Sequence, residues 1–201
     1  MEKRLSNSEK LRKMILAAIF VAIIIVMTVV PYTGYIAIPP SIAITTLHIP
    51  VIIGAIFLGW KYGALLGGVW GVTCVIKAFL EPDPANIPFQ NPLISLFPRI
   101  VVGIVAGAVY ALIAKHMKNK LGKPVAAIAS AVAATLTNTV LVLSMYSIFN
   151  NAYDSLIEGV KQTLSWIIGV AIAVNGVIEL TAAIIIVPVV CTALLQVKSK
   201  N

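Results

Sequence analysis

Residues 164–197 read LSWIIGVAIAVNGVIELTAAIIIVPVVCTALLQV, an apolar run that nevertheless contains Asn175 and Glu179. The run is longer than the ~20 apolar residues that an α-helix needs to cross the hydrocarbon core of a bilayer. A charged side chain near the middle of such a span costs about 2.5–3.5 kcal/mol even on the most lenient insertion scale. We therefore expect both residues to face a protected polar cavity and not lipid.

The rest of the chain has the same apolar character. Of its 201 residues, 60% are hydrophobic and only 11% are charged, and its mean hydropathy is +1.00, whereas a soluble domain carries about 25% charged residues. We predict one all-α membrane domain over residues 1–201, a bundle of six transmembrane helices with ordered outer loops. The approximate spans are 11–30, 48–59, 62–80, 95–117, 124–149 and 163–196.

Basic residues are distributed unevenly between the two sides of the predicted bundle. Apart from Lys77, Arg99 and Lys161, every Lys and Arg lies in the N-terminal segment, the turns after the second and fourth helices, or the C-terminal tail. By the positive-inside rule both termini are cytoplasmic. The net charge of +8 thus reflects topology and does not predict nucleic-acid binding. We expect a multi-pass membrane protein.

The first outer segment, residues 31–48, has no formally charged residue and contains two consecutive prolines. It cannot be helical across those prolines, yet it is too apolar to lie freely in water, so we expect it to fold over the bundle as a lid. Tyr35 and His48 in this segment are candidate substrate-binding residues. Two further outer loops, which together with the lid suggest a covered site, are 81–94 and 150–163.

The sequence lacks the motifs of several enzyme classes. It contains no G-x-x-x-x-G-K-[ST], the P-loop pattern of ATP-binding proteins. The two histidines, His48 and His116, are predicted on opposite sides of the membrane, which excludes a metal site of the H-E-x-x-H kind. Cys74 and Cys191 lie within apolar helices and are expected to be structural thiols. We predict a protein that is not an enzyme and needs no cofactor or metal.

Polar side chains within the last two spans lie at similar depth. Asn138 and Asn175 each lie 11 residues from the predicted outer end of their helix, or roughly 16 Å below the outer boundary at ~1.5 Å per residue. Glu179 follows Asn175 by one turn on the same helix face, and is either protonated or paired with another helix. The amides either join helices, contributing about 0.6–2 kcal/mol, or bind a ligand. Their combination beneath a lid favours the ligand.

Three candidate substrate-binding residues near the outer boundary have two interpretations each. Arg99 either extends to the lipid headgroups or points inward, where it would form a bidentate pair with a substrate carboxylate or with Glu179. Tyr146 and Trp166 either belong to the aromatic belt at the membrane interface or stack on a substrate.

Several segments together resemble one family of transport proteins. AIFVA at 18–22 has alanines four residues apart, and LHIPVIIGAIFLGWKYGALLGGVWG occupies 47–71. The fifth helix contains TNT at 137–139 and the sixth contains NGVIE at 175–179. With six spans and a long first outer loop, these segments resemble the substrate-binding S components of energy-coupling factor (ECF) vitamin transporters.

This resemblance implies a subunit in a bacterial cell membrane that captures a water-soluble vitamin from outside, with the first loop closing the site. The implied partners are a transmembrane coupling protein, which the family's alanine motif contacts (Ala18 and Ala22 here), and two ATPase subunits. The segment TTLHIPVIIGAI at 45–56 is most similar to pantothenate-type S components. For pantothenate, Arg99 would meet the carboxylate, and the hydroxyls and amide would be met by Asn138, Asn175 and Glu179.

Other functions remain open at this point. The substrate of such an S component would alternatively be hydroxymethylpyrimidine, pyridoxine, folate or riboflavin. A stand-alone secondary transporter would use Glu179 as its proton carrier and would need no partner for uptake. An assembly protein would use its intramembrane asparagines only to join helices, and it would bind no ligand saturably.

Overall fold

A computed structural model of the chain describes residues 7–38, 42–82, 86–117, 121–153 and 175–200. Five of its helices are long and apolar enough to cross a membrane, which confirms the prediction of a helical membrane bundle. The predicted start of the sixth span at residue 163 lies outside the described residues. The helices are α1 (Asn7–Val29), α2 (His48–Leu58), α3 (Trp60–Leu80), α4 (Pro92–His116), α5 (Gly122–Tyr153) and α6 (Gly176–Lys200), with a 3-10 helix at Ile87–Gln90.

Helix α2 forms the centre of the bundle. Ten of its 11 residues are buried, and it contacts α1, α3, α4, α5 and α6. A helix that is apolar on every side is expected to be surrounded by protein or lipid, and here protein surrounds it. It ends at Gly59, whose φ of 96° is open to glycine but strained for other residues. The chain can therefore turn sharply and begin α3 at Trp60.

Helices α3 and α4 pack closely through glycines. A side chain at Gly63 would collide with the backbone of Gly103, and one at Gly67 would collide with the carbonyl of Arg99. One turn further, Gly71 lies against the backbone of Leu96. Small residues at four-residue spacing allow such approach of helix backbones within a membrane. The four-residue spacing of Gly63, Gly67 and Gly71 therefore corresponds to the face on which α3 meets α4.

The predicted lid segment contains a β-hairpin, which the sequence analysis did not foresee. Strands β1 (Tyr35–Ile38) and β2 (Ile42–Thr45) are antiparallel, and Tyr35 is the register partner of Thr45 at the hairpin base. Strand β2 contacts α6. The base of the hairpin therefore lies against α6.

Candidate substrate-binding site

Arg99 lies in the interior of the bundle. Its side chain is only 6% exposed, and its guanidinium carbon lies 5.1 Å from the ring centre of Trp70 and 5.3 Å from that of Phe89. Aromatic faces attract a cation at such distances. The Nη1 atom also donates a hydrogen bond to the carbonyl of Ile94 at 2.9 Å. The structure therefore places this guanidinium inside the protein and not among the lipid headgroups.

Neighbouring elements explain how the aromatic rings reach Arg99. Gly67 lets α3 lie against the Arg99 carbonyl, and Trp70 follows three residues later on the same face of α3. Phe89 belongs to the 3-10 helix, and its carbonyl accepts a hydrogen bond from the hydroxyl of the fully buried Ser95. One ring thus comes from a membrane span and the other from an outer loop that α4 holds in place.

Glu179 joins α6 to the hairpin. Its side chain is 6% exposed, and its Oε1 accepts a hydrogen bond of 2.7 Å from the backbone N–H of Thr45. On the opposite strand, the Tyr35 hydroxyl lies 3.1 Å from the sulfur of Cys74 on α3, and burial raises the pKa of the Tyr35 phenol. The two register partners at the hairpin base are therefore held by different helices. Arg99 and Glu179, although both buried, form no ion pair with each other in the described part of the chain.

Further polar side chains are buried in the helices around Arg99. His48 on α2 and Thr135 on α5 are each 1% exposed, and Asn138 on α5 is 7% exposed. The His48 ring nitrogens, Thr135 Oγ1 and Asn138 Oδ1 make no hydrogen bond within the described part of the chain, and neither does Arg99 Nε. Buried polar atoms in proteins nearly always have a partner. These atoms are therefore well suited to binding a polar ligand.

A groove of about 770 Å³ lies elsewhere, between α1 and α3. Its lining is mostly apolar, with the hydroxyls of Thr28 and Thr73 among the lining residues and the Lys77–Glu81 ion pair at its outer end. It includes none of the buried polar residues described above. Because both helices are long and apolar enough to span a membrane, this groove suits an apolar neighbour and not a water-soluble substrate.

The family assignment follows from the whole chain and not from the site alone. A family profile described as the substrate-specific component of ECF transporters matches residues 12–191. The chain belongs to this family. The predicted resemblance is thereby confirmed, and with it a membrane protein with a role in transport.

Two relatives of this S component are named as transporters of one vitamin. The pantothenic acid transporter PanT of Lactococcus lactis subsp. cremoris is 34% identical over 92% of this chain and 94% of its own length. The pantothenate transporter PanT of Leuconostoc mesenteroides is 26% identical over 96% of this chain and 97% of its own length. The similarity to each relative therefore extends over the whole membrane domain.

Most of the predicted site residues lie in the part of the chain that the structure describes. Arg99, Glu179, Asn138 and His48 are buried in the S component, and Tyr35 lies at the base of the hairpin. Asn175, immediately before α6, is partly buried. Trp166 lies outside the described residues, and Tyr146 lies on α5, where its side chain is not described.

Three groups beside the predicted residues could not be assigned to the site from the sequence. Trp70 and Phe89 flank the guanidinium of Arg99, and the backbone N–H of Thr45 occupies one oxygen of Glu179. Four-residue spacing of the small residues before Trp70 was a usable signal, because it predicts which face of α3 meets α4. A backbone donor such as Thr45 leaves no signal in the sequence.

Proposed function

We propose that this S component binds pantothenate at the outer side of the membrane, in a site that contains Arg99 and is covered by the hairpin. Both relatives described above are named for this vitamin, which supports the choice of substrate. The buried polar atoms of His48, Thr135 and Asn138, which make no hydrogen bond within the described part of the chain, support the choice of site.

One observation carries the proposal. Arg99 is the only Lys or Arg that is buried among the side chains that the structure describes. Its Nε has no hydrogen-bond acceptor within that part of the chain, and a guanidinium can hold a carboxylate through two parallel hydrogen bonds. Pantothenate has a single carboxylate, so one buried cation matches its charge. The Trp70 and Phe89 rings hold the plane of the guanidinium before the substrate arrives.

The remaining polar groups of pantothenate are two hydroxyls and an amide. Asn138, Asn175 and His48 offer both donors and acceptors to such groups, and Thr135 adds a buried hydroxyl. Because Glu179 already accepts the Thr45 N–H, its contribution is twofold: one oxygen fixes the hairpin and the other faces the substrate hydroxyls. The Tyr35 phenol on the opposite strand completes the cover of the site.

Transport requires partners that supply energy. The sequence has no P-loop, so we propose that ATP is hydrolysed by two ATPase subunits which act through a transmembrane coupling protein. Ala18 and Ala22 on α1 are exposed, whereas Ala17 and Ile24 on the same helix face the bundle. Exposed small residues four apart allow a second helix to approach closely, so this face of α1 is the proposed contact with the coupling protein.

Uptake into proteoliposomes tests whether the S component only binds the substrate while its partners supply the energy for transport. The S component alone is expected to bind pantothenate without accumulating it under a pH gradient, while the complex with coupling protein and ATPases accumulates it when ATP is present. Ala18→Leu with Ala22→Leu should retain binding and lose ATP-driven uptake. Ala108→Leu with Ala111→Leu, on the exposed face of α4, is the matched control and should transport normally. Accumulation by the S component alone would instead support a secondary transporter.

A further inference from the structure

Helix α4 contains an internal proline immediately before Arg99. Pro98 lies seven positions into a helix that continues to His116. Proline has no backbone N–H, and its ring clashes with the carbonyl four residues earlier, which is that of Ile94. The Ile94 carbonyl therefore has no helical donor from position 98, and the proline ring displaces it from the direction of the helix axis.

Arg99 supplies the missing donor. Its Nη1 donates to the Ile94 carbonyl at 2.9 Å, and Ile94 is fully buried, so no water competes for this carbonyl. Helical side chains lean toward the N-terminus of their helix, which directs the Arg99 side chain back over the turn that Pro98 opens. Pro98, which leaves the Ile94 carbonyl without its helical donor, and Arg99, which donates to that carbonyl, are thus adjacent in the sequence.

We propose that Pro98 is a positioning residue for the substrate-binding arginine. The freed carbonyl fixes one end of the guanidinium between Trp70 and Phe89, and leaves Nε and the remaining N–H groups for an anionic substrate. This inference rests on the proposed role of Arg99 in binding the pantothenate carboxylate. In an unbroken helix the Ile94 carbonyl would point along the helix axis and accept the N–H of residue 98, so the guanidinium would have to share this acceptor and would be held less firmly.

Pro98→Ala tests the proposal because stability and affinity should change in opposite directions. Alanine restores the helical N–H and is strongly preferred to proline in a helix interior, so the melting temperature of the variant should stay equal or rise. Affinity for pantothenate should fall by about 10-fold, as expected for losing one hydrogen bond to a charged group. The matched control is Pro188→Ala in α6, another internal proline, which should leave the affinity unchanged.

A double-mutant cycle separates positioning from a general effect on the helix. In an Arg99→Ala background, Pro98→Ala should cause no further loss of affinity, because interacting residues are not additive. Equal losses in both backgrounds, or a lower melting temperature accompanying the lower affinity, would overturn the proposal.

A second readout needs no substrate, so it distinguishes failure of this inference from failure of the proposed function. In a Trp60→Phe, Trp166→Phe background, Trp70 is the single tryptophan and reports the guanidinium beside it. The wavelength of the Trp70 fluorescence maximum should shift in Pro98→Ala in the same direction as in Arg99→Ala, and should not shift in Pro188→Ala. Unchanged Trp70 emission in Pro98→Ala would overturn the positioning role whether or not pantothenate binds.

Discussion

Replacement of Arg99 by alanine is expected to weaken pantothenate binding at least 30-fold, since removing one partner of a buried charge pair costs about 2 kcal/mol or more. The guanidinium is buried and lies beside two aromatic rings, and no other Lys or Arg side chain among the described residues is buried. Isothermal titration of the purified variant in nanodiscs measures this loss directly.

Two controls show whether the loss reflects the lost charge. Lys115→Gln removes a cation from the exposed inner end of α4, and should leave the affinity unchanged. Arg99→Lys retains the charge but not the bidentate geometry, so its affinity for pantothenate should lie between those of the wild type and of Arg99→Ala. If Arg99→Ala bound pantothenate as tightly as the wild type while remaining folded, the proposed carboxylate site would be wrong.

Gly67→Ala is expected to cause the second large effect, on both stability and binding. The new Cβ would collide with the backbone carbonyl of Arg99, which cannot rotate away as a flexible side chain can. Overpacking of this kind costs typically 1–3 kcal/mol. Because α3 also carries Trp70, separating α3 from α4 should lower the melting temperature and the pantothenate affinity together.

The adjacent Gly68 provides a matched control for Gly67. A Cβ at Gly68 would meet only the Ile100 side chain, at 3.8 Å, an ordinary contact. Gly68→Ala should therefore leave the pantothenate affinity unchanged. Its melting temperature should be equal to that of the wild type or higher, since alanine favours the helix by about 1 kcal/mol relative to glycine. Equal melting temperatures for the two variants would show that the close approach at Gly67 does not contribute to stability.

The helical architecture could be predicted because membrane spans leave a strong signal in the sequence. Run length and the distribution of basic residues predicted a bundle of membrane-spanning helices, and the four-residue spacing of glycines in α3 is typical of closely packed helices. The two consecutive prolines at 39–40 predicted that no helix crosses the lid segment, and the described residues on either side of them form strands. The strand pairing within it could not be predicted, because both strands are continuously apolar and show no alternation of polar residues.

The site was only partly predictable, for a different reason. Intramembrane polar residues such as Asn138 and Glu179 stand out against an apolar background because their burial is costly. Their partners do not stand out. Trp70 resembles any interfacial or core aromatic, and the Thr45 N–H that meets Glu179 belongs to the backbone. We propose that Pro98 orients the Arg99 side chain, and the effect of this proline on the carbonyl of Ile94, four residues earlier, follows from the sequence. Whether the Arg99 side chain points to lipid or into the bundle, however, could be decided only from the tertiary structure.

The most direct test of the central claim is isothermal titration of the wild-type S component with pantothenate and with pantothenol, in which a CH₂OH group replaces the carboxylate. Saturable one-to-one binding of pantothenate, at least 30-fold tighter than that of pantothenol (about 2 kcal/mol), is the predicted result, and Arg99→Ala should erase the difference. Equal affinity for the two compounds, or no binding of pantothenate by the folded protein, would contradict the account.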